Sequence, residues 1–412
     1  MGVLFMEIKY IDGGITAPKG FLASGIHCGV KQGSTKKDLA LIYSEVPANA
    51  SGMFTKNKVK GAPIYICKDH LANKKAQAII VNSGNANTCN GNDGLNKAKK
   101  MAVLQGKALN IKANDVLVAS TGVIGVPLNI DAIKDGIPLL TKKLSKDGNE
   151  DAASAIMTTD TFMKQLAAEF YIGDKKITIG TMAKGSGMIE PNMGTMLSFI
   201  TTDISICPEL LDEALKSTVT TTYNRVSVDG DTSTNDSIFI LANGQAANAT
   251  ITEKDEAYDT FVSALKEINT VMAKNIAKDG EGATKLLECQ ITGAASEKDA
   301  VAFGKSVINS SLVKTAMFGS DANWGRILCA LGYANVEFDP EKVNVSFASC
   351  GGEIEVCKNG SSVGFDEDKA KQVLDQKEII IKVNLSQGEC SAYVWGCDLS
   401  YEYVKINGDY RS

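Results

Sequence analysis

The chain of 412 residues is long enough for two or three domains with substantial cores. Its 44% hydrophobic and 22% charged residues are those of an ordinary globular protein, and a net charge of -5 spread in mixed sign, with no basic block, excludes nucleic acid as an expected partner. No uninterrupted apolar run approaches the roughly 20 residues that a membrane helix needs, which excludes a membrane-spanning helix.

The opening MGVLFMEIKYIDGG lacks a basic stretch followed by a long apolar one, so it reads as a first strand rather than a secretory leader. Met6 stands where myristoylation would want Ser or Thr. Strands are expected over residues 39–46 and 76–82, a helix over 95–109, a strand over 116–120 and a helix over 131–144. The alternation continues with strands at 176–180 and 196–203, a helix at 208–223 opened by Pro208, a strand at 237–242 and a long helix at 255–278 stopped by Asp279-Gly280. Beyond it come a strand at 286–292, helices at 297–309 and 367–376, and a strand at 378–385. The pattern is α/β or α+β with large sheets, and a boundary falls near residue 284, after Asp279-Gly280-Glu281-Gly282-Ala283-Thr284-Lys285. The ten cysteines include no Cys-x-x-Cys, the nearest spacings being Cys350 to Cys357 and Cys390 to Cys397, so reduced cytoplasmic thiols are expected.

Histidine is scarce: His27 and His70 alone, both near the start. The Gly-x-Ser-x-Gly around Ser362 has no histidine after it and reads as a polar turn. His27-Cys28 is a poor catalytic pair, because neighbours on a strand point to opposite faces. There is no paired-Cys zinc site, and no metal is expected.

What remains is three small-residue loops rich in hydroxyls and N–H donors. Asn82-Ser83-Gly84-Asn85-Ala86-Asn87 follows one strand and Ser120-Thr121-Gly122-Val123-Ile124-Gly125 another. A Thr-Gly at a strand end can aim a hydroxyl and an N–H at one point, as an oxyanion hole requires. The third loop runs from Lys184-Gly185-Ser186-Gly187-Met188-Ile189 through Glu190-Pro191-Asn192-Met193-Gly194 into the apolar run headed by Thr195. Two readings are open. In one, Thr195 is merely the first residue of a buried strand entered through a tight turn. In the other, its hydroxyl is a nucleophile whose base is its own α-amino group, with an ordinary pKa near 8 and free only once the bond after Gly194 is cut.

The segment from Lys184 to Leu197 resembles the self-cleavage segment of the ornithine acetyltransferase (ArgJ) family. The resemblance extends along nearly the whole chain, through the two loops above, Thr158-Thr159-Asp160-Thr161, Arg225-Val226-Ser227-Val228-Asp229-Gly230-Asp231-Thr232-Ser233-Thr234-Asn235-Asp236, the 279–285 segment, Phe318-Gly319-Ser320-Asp321-Ala322-Asn323-Trp324-Gly325-Arg326-Ile327 and the tail Tyr403-Val404-Lys405-Ile406-Asn407. It implies an αββα layered sandwich of the self-cleaving N-terminal-nucleophile type over residues 1–284, divided into an α chain, 1–194, and a β chain from 195, with a smaller C-terminal α/β domain at 285–412. It implies cleavage between Gly194 and Thr195, Thr195 as nucleophile, Thr121 and Gly122 as the oxyanion hole, and Thr158, Lys184, Thr195, Glu281, Asn407 and Ser412 as substrate contacts.

The activity so implied is a ping-pong transfer of acetyl from N2-acetyl-L-ornithine to L-glutamate, in arginine biosynthesis, with no bound cofactor. Family members that also accept acetyl-CoA extend the expectation to that co-substrate. The expected assembly is an α2β2 heterotetramer in the cytoplasm. The alternatives are an amidohydrolase or aminopeptidase on the same scaffold, or an uncleaved small-molecule-binding protein. Three departures from the family pattern keep every reacting group: Gly194 for alanine, Ala322 for proline and Ser412 for threonine.

Overall fold

The computed structural model describes residues 8–31, 33–190 and 196–409. In the described residues the first 242 positions supply nine strands of one sheet: β1 Lys9–Ile11, β2 Phe21–Ile26, β3 Leu39–Phe54, β4 Lys75–Asn85, β5 Val116–Val123, β6 Lys164–Ile172, β7 Lys175–Lys184, β8 Leu197–Thr202 and β9 Ser237–Ala242. Their order is β1-β6-β7-β8-β9-β3-β4-β5, with β2 also on β3. Helices α1 Ala62–His70, α2 Gly91–Leu109, α3 Ile130–Lys142, α4 Asn149–Ile156, α5 Pro208–Thr221 and α6 Glu256–Lys278 cover it.

β3 joins the two halves of this sheet. Its first part lies between β2 and β4, with Leu39 opposite both Ile26 and Asn82, and its last part pairs with β9 from Asn49↔Ala242 to Phe54↔Ser237. Between them the register with β4 slips from Tyr43↔Ala78 to Ala48↔Ala76. Pro47 lies in that bulge, where a missing N–H does no harm to the ladder. The strand expected to end at 46 therefore continues past the proline.

β8 and β9 are buried on both faces, so they read as unbroken apolar or small-residue runs rather than as alternation. Leu197, Phe199, Phe239 and Leu241 face one core, with Leu41, Ile79, Met101 of α2 and Ile133 of α3. Ile200, Ile238 and Ile240 face a second core, under α5 and α6. In α6, Phe261, Leu265, Ile268, Met272 and Ile276 recur at three- and four-residue spacing and make the buried stripe, while the Asp255 carboxylate caps the helix by accepting the Tyr258 N–H at 3.0 Å. The layers are thus helices, two stacked halves of sheet, and helices.

A second sheet, in the order β13-β12-β11-β14-β10-β15, comprises β10 Leu286–Ala294, β11 Asn344–Ser349, β12 Gly352–Lys358, β13 Ser361–Ser362, β14 Glu378–Asn384 and β15 Cys390–Cys397. It has its own core, shared with α7 Glu297–Asn309, α8 Ser311–Phe318, α9 Trp324–Gly332 and α10 Glu367–Leu374; α11 Tyr401–Asp409 follows. Trp395 and Cys397 of β15 pack into the core under α6, and Ser227 N–H donates to Trp395 O at 2.8 Å. These contacts seat the second sheet beside the end of β7 and β8.

Several elements were not anticipated. β6 contains Leu166-Ala167-Ala168-Glu169, a helix-prone run, yet it is a strand because β1 and β7 hydrogen-bond to its two edges. β11, β12 and β15 and helices α1, α4, α8, α9 and α11 are likewise additional. No helix among the described residues is long and apolar enough to cross a membrane.

Candidate active site

β4 and β5 run parallel and end side by side, with Asn82↔Ser120, Ser83↔Thr121 and Gly84↔Gly122 in register. Their loops are pinned by buried amides. The Asn82 side chain accepts the Ser120 hydroxyl at 2.6 Å and donates to Asn85 O at 2.8 Å. Asn235, reaching across from the approach to β9, donates to Ala86 O at 2.6 Å and Ser120 O at 2.9 Å. Gly122 has φ +128°, and a Cβ there would lie 2.3 Å from the Gly84 carbonyl carbon. Only glycine against glycine lets the two strands close at this point.

Thr121 is nearly buried, and its oxygen accepts a hydrogen bond from Lys184 Nζ at 3.2 Å. Because the lysine is the donor, the threonine keeps its own hydroxyl proton for another acceptor. Lys184 ends β7 and is 4% exposed. Burial lowers its pKa, while Asp160, Glu281 and Asp236 act in the opposite direction.

Beneath Lys184 lies a chain of buried charges. Asp160 accepts Thr158 N–H at 2.9 Å, Gly185 N–H at 2.8 Å and Lys164 Nζ at 2.7 Å. Burial would raise its pKa, but Lys184, Lys164 and these donors hold it well below the usual carboxylate range. Lys164 also bonds Asp279, which accepts the Thr161 N–H and hydroxyl. This network ties the 158–161 loop to the segment that carries Glu281.

Glu281 donates its N–H to Ser186 O at 2.8 Å, and its carboxylate accepts Asn407 Nδ2 of α11 at 2.9 Å. A Cβ on Gly187 would lie 2.3 Å from that carboxylate, so the glycine makes room for it. A cavity of about 130 Å³ collects Thr121, Gly122, Thr158, Lys184, Glu281 and Asn407, with Thr234 and Asn235 on its wall. That volume is below the roughly 300–1,000 Å³ of drug-sized sites and suits a small ligand.

Gly194, Thr195 and Ser412 lie outside the described residues. The chain resumes at Met196, whose N–H donates to Asp236 Oδ1 at 2.7 Å, and Leu197 is the register partner of Lys184. The chain following residue 195 therefore enters the sheet beside the lysine. His27, past the end of β2, bonds Lys36 O through Nδ1, and buried His70 donates Nδ1–H to Val116 O at 2.8 Å; neither lines the cavity. Ser362 is an exposed residue of the two-residue edge strand β13. All ten cysteines are free thiols.

Composition and local spacing assign no role to Asp160, Lys164, Asn235 or Asp236. Asp160 and Lys164 carry a weak signal in their four-residue spacing, but only the fold shows that both are buried and share Asp279.

The ArgJ family model matches residues 22–412 of this chain, which include every described residue of the cavity. The chain belongs to the ArgJ family. It is 54% identical over 407 residues to the arginine biosynthesis bifunctional protein ArgJ of Caldanaerobacter subterraneus subsp. tengcongensis, covering 99% of this chain and 100% of that one. It is 53% identical over 392 residues to arginine biosynthesis bifunctional protein ArgJ 1 of Clostridium acetobutylicum, covering 95% and 96%. The crystal structure of the arginine biosynthesis bifunctional protein argJ from Bacillus halodurans is similar at 44% identity and a TM-score of 0.50, over 52% of this chain and 100% of that chain. For an ArgJ-family chain, the polar loops at the ends of β4, β5 and β7 are thus the parts that the fold gathers around one cavity.

Proposed function

We propose that this chain is a glutamate N-acetyltransferase of arginine biosynthesis that cuts itself between Gly194 and Thr195 and then carries acetyl on Thr195. The observation that supports this most is the convergence of Thr121, Gly122, Lys184 and Glu281 on one small cavity, next to the point where the chain enters β8.

In self-cleavage, Thr195 Oγ attacks the Gly194 carbonyl carbon, the C–N bond breaks as the acyl group shifts to oxygen, and water releases the ester. A free amine remains on Thr195. In transfer, that amine takes the Oγ proton while Oγ bonds to the acetyl carbon of N2-acetyl-L-ornithine. The Thr121 hydroxyl and Gly122 N–H hold the oxyanion. As the C–N bond of the donor breaks, the proton passes to the leaving ornithine nitrogen. Glutamate then attacks the acetyl ester through its amine, and the proton returns to Thr195 Oγ. Lys184 suits the substrate carboxylate, while Glu281 and Asn407 suit the ammonium end; Thr158 and Ser412 complete the contacts.

The scheme calls for no metal or bound cofactor. Acetyl-CoA serves as a second donor in the same scheme, its thioester carbonyl entering the same hole. The two chains stay joined after cleavage, because β7 and β8, on either side of the cut, are antiparallel partners from Lys184↔Leu197 to Ile179↔Thr202. The cleaved pair assembles as α2β2 in the cytoplasm.

The test is an assay of acetyl transfer from N2-acetyl-L-ornithine to glutamate, run beside acetyl-CoA as donor, on protein whose intact mass is measured. Two chains, residues 1–194 and 195–412, with glutamate-dependent release of ornithine are expected. Release of acetate without glutamate would instead make it a hydrolase. Thr195→Ala should remain one chain and be inactive, and Thr195→Ser should keep part of both activities.

A further inference from the structure

Asn235 lies just ahead of β9, is 7% exposed and lines the cavity. Its carboxamide reaches four partners. Nδ2 donates to Ala86 O at 2.6 Å and to Ser120 O at 2.9 Å, while Oδ1 accepts the Thr88 hydroxyl at 2.6 Å and the Thr234 hydroxyl. Carbonyls can only accept, so the amide cannot be turned end for end, and both of its N–H bonds are committed to the ends of β4 and β5. Gly61, just ahead of α1 and not among the residues that line the cavity, packs against this amide: a Cβ there would stand 2.6 Å from Nδ2 and 2.7 Å from Oδ1.

The two carbonyls so held bracket Thr121 and Gly122. Ser120 C=O and Thr121 N–H belong to one planar peptide unit, so fixing the oxygen fixes the plane from which Thr121 starts. Ala86 follows Gly84, the register partner of Gly122, and its own N–H donates to Val123 O at 2.9 Å. The amide thus fastens the β4 loop to β5 before Thr121, and Ala86 fastens it again after Gly122. Two hydroxyls at Oδ1 polarise the amide and strengthen its donation at the other end. β9, which Asn235 precedes, is the parallel partner of β8, so these bonds tie the Thr-Gly loop to strands that follow the expected cut.

We propose that Asn235 is a positioning residue for the oxyanion hole: it holds the Ser120 and Ala86 carbonyls so that the Thr121 hydroxyl and the Gly122 N–H converge on one point. This rests on the acetyl-transfer reading above. Asn235 acts through two backbone units rather than on the reacting atoms. An oxyanion hole works by being ordered before the charge develops, and a shift of about 1 Å in such a group costs on the order of 10²-fold in rate. The hole is fully engaged only in the transition state, so its disorder lowers kcat rather than raising KM. A buried amide that served stability alone would lower the unfolding midpoint and leave turnover per folded molecule unchanged.

The experiment uses full-length wild type, Asn235→Ala, Gly61→Ala, Thr121→Val, and Thr121→Val combined with each of the first two. Intact mass gives the cut fraction and urea unfolding the folded fraction. The values of kcat and KM for N2-acetyl-L-ornithine with glutamate are then read per folded, cut molecule. Asn235→Ala should lose about 10- to 10²-fold in kcat with KM within about threefold of wild type. Gly61→Ala, which displaces the amide from outside the cavity, should lose about three- to tenfold in kcat with KM unchanged. On the Thr121→Val background each change should cost at least about twofold less than it does alone, because the hole it disturbs has already lost a donor. Additive losses, a rise in KM alone, or a kcat within about twofold of wild type in Asn235→Ala overturn the proposal. Should Asn235→Ala fail to fold or to be cut, Gly61→Ala and its combination with Thr121→Val carry the test by the same criteria. A wild type that is never cut or transfers no acetyl overturns the acetyl-transfer reading and this proposal together, whereas a cut, active wild type with additive variants overturns the proposal alone.

Discussion

At position 122 a Cβ would stand 2.3 Å from a backbone carbon of Gly84, on a residue whose φ is +128°. Gly122→Ala should therefore force β4 and β5 apart and lower stability by roughly 1–3 kcal/mol, measured by urea unfolding, with activity falling further than stability. Thr121 asks less of the backbone and more of the chemistry. Its oxygen already accepts from Lys184, which leaves its own proton for the oxyanion of the proposed mechanism. Thr121→Val should fold normally and lose about 10²- to 10³-fold in kcat, as removal of one oxyanion donor does elsewhere; a loss under about twofold would place the hole at another position. Gly187→Ala tests the opposite wall of the cavity. Its Cβ meets the Glu281 carboxylate at 2.3 Å, and the expected result is a raised KM for substrate with little change in unfolding midpoint.

The elements matter because buried charge fastens them together. Lys164 on β6 is fully buried with two carboxylates, Asp160 from the loop before β6 and Asp279 at the end of α6. Lys164→Met removes the cation that both acids share, leaving Asp160 with Lys184 alone, and should destabilise the protein by about 3–5 kcal/mol in urea unfolding at neutral pH. The pH dependence has a definite sign. The folded state holds Asp160 below its usual pKa, so its ionisation contributes stability that is fully present above the unfolded carboxylate pKa near 4 and is lost as pH falls below it. Unfolding midpoints should fall between pH 5 and pH 3, and Asp160→Asn should flatten that decline while lowering stability at pH 7. The long helix α6 and strands β8 and β9 were readable in advance, because their apolar spacing and end signals agree with their environment. β6 was not, since its local preference runs against the pairing that surrounds it on both edges.

On the scale of the whole molecule, the second sheet is an active partner in the site. It docks Trp395 against the core under α6 and is followed by α11, which carries Asn407 to Glu281. β7 and β8 flank the expected cut as neighbouring antiparallel strands, so cleavage should not release either chain. Native-condition sizing should show the two chains migrating together, and denaturing conditions should separate them; dissociation of the cut protein under native conditions would contradict that expectation.

The chemistry of this protein was legible in its residues to the extent that chemistry is local. Two histidines, a Thr-Gly at a strand end and a glycine-flanked threonine ahead of an apolar run narrowed the candidates, and the resemblance along the whole chain joined them into one activity. Lys184, Glu281 and Asn407 could each have been surface groups; their meeting depends on contacts between positions nearly a hundred or more residues apart. Only the tertiary structure decided that the lysine is buried against the Thr121 hydroxyl, that Asp160, Lys164 and Asp279 form the charge network beneath it, and that the buried Asp236 accepts the Met196 N–H. The physical reason is that burial and long-range pairing set the ionisation and orientation of these groups, and neither is a property of the short stretch of chain in which each residue stands.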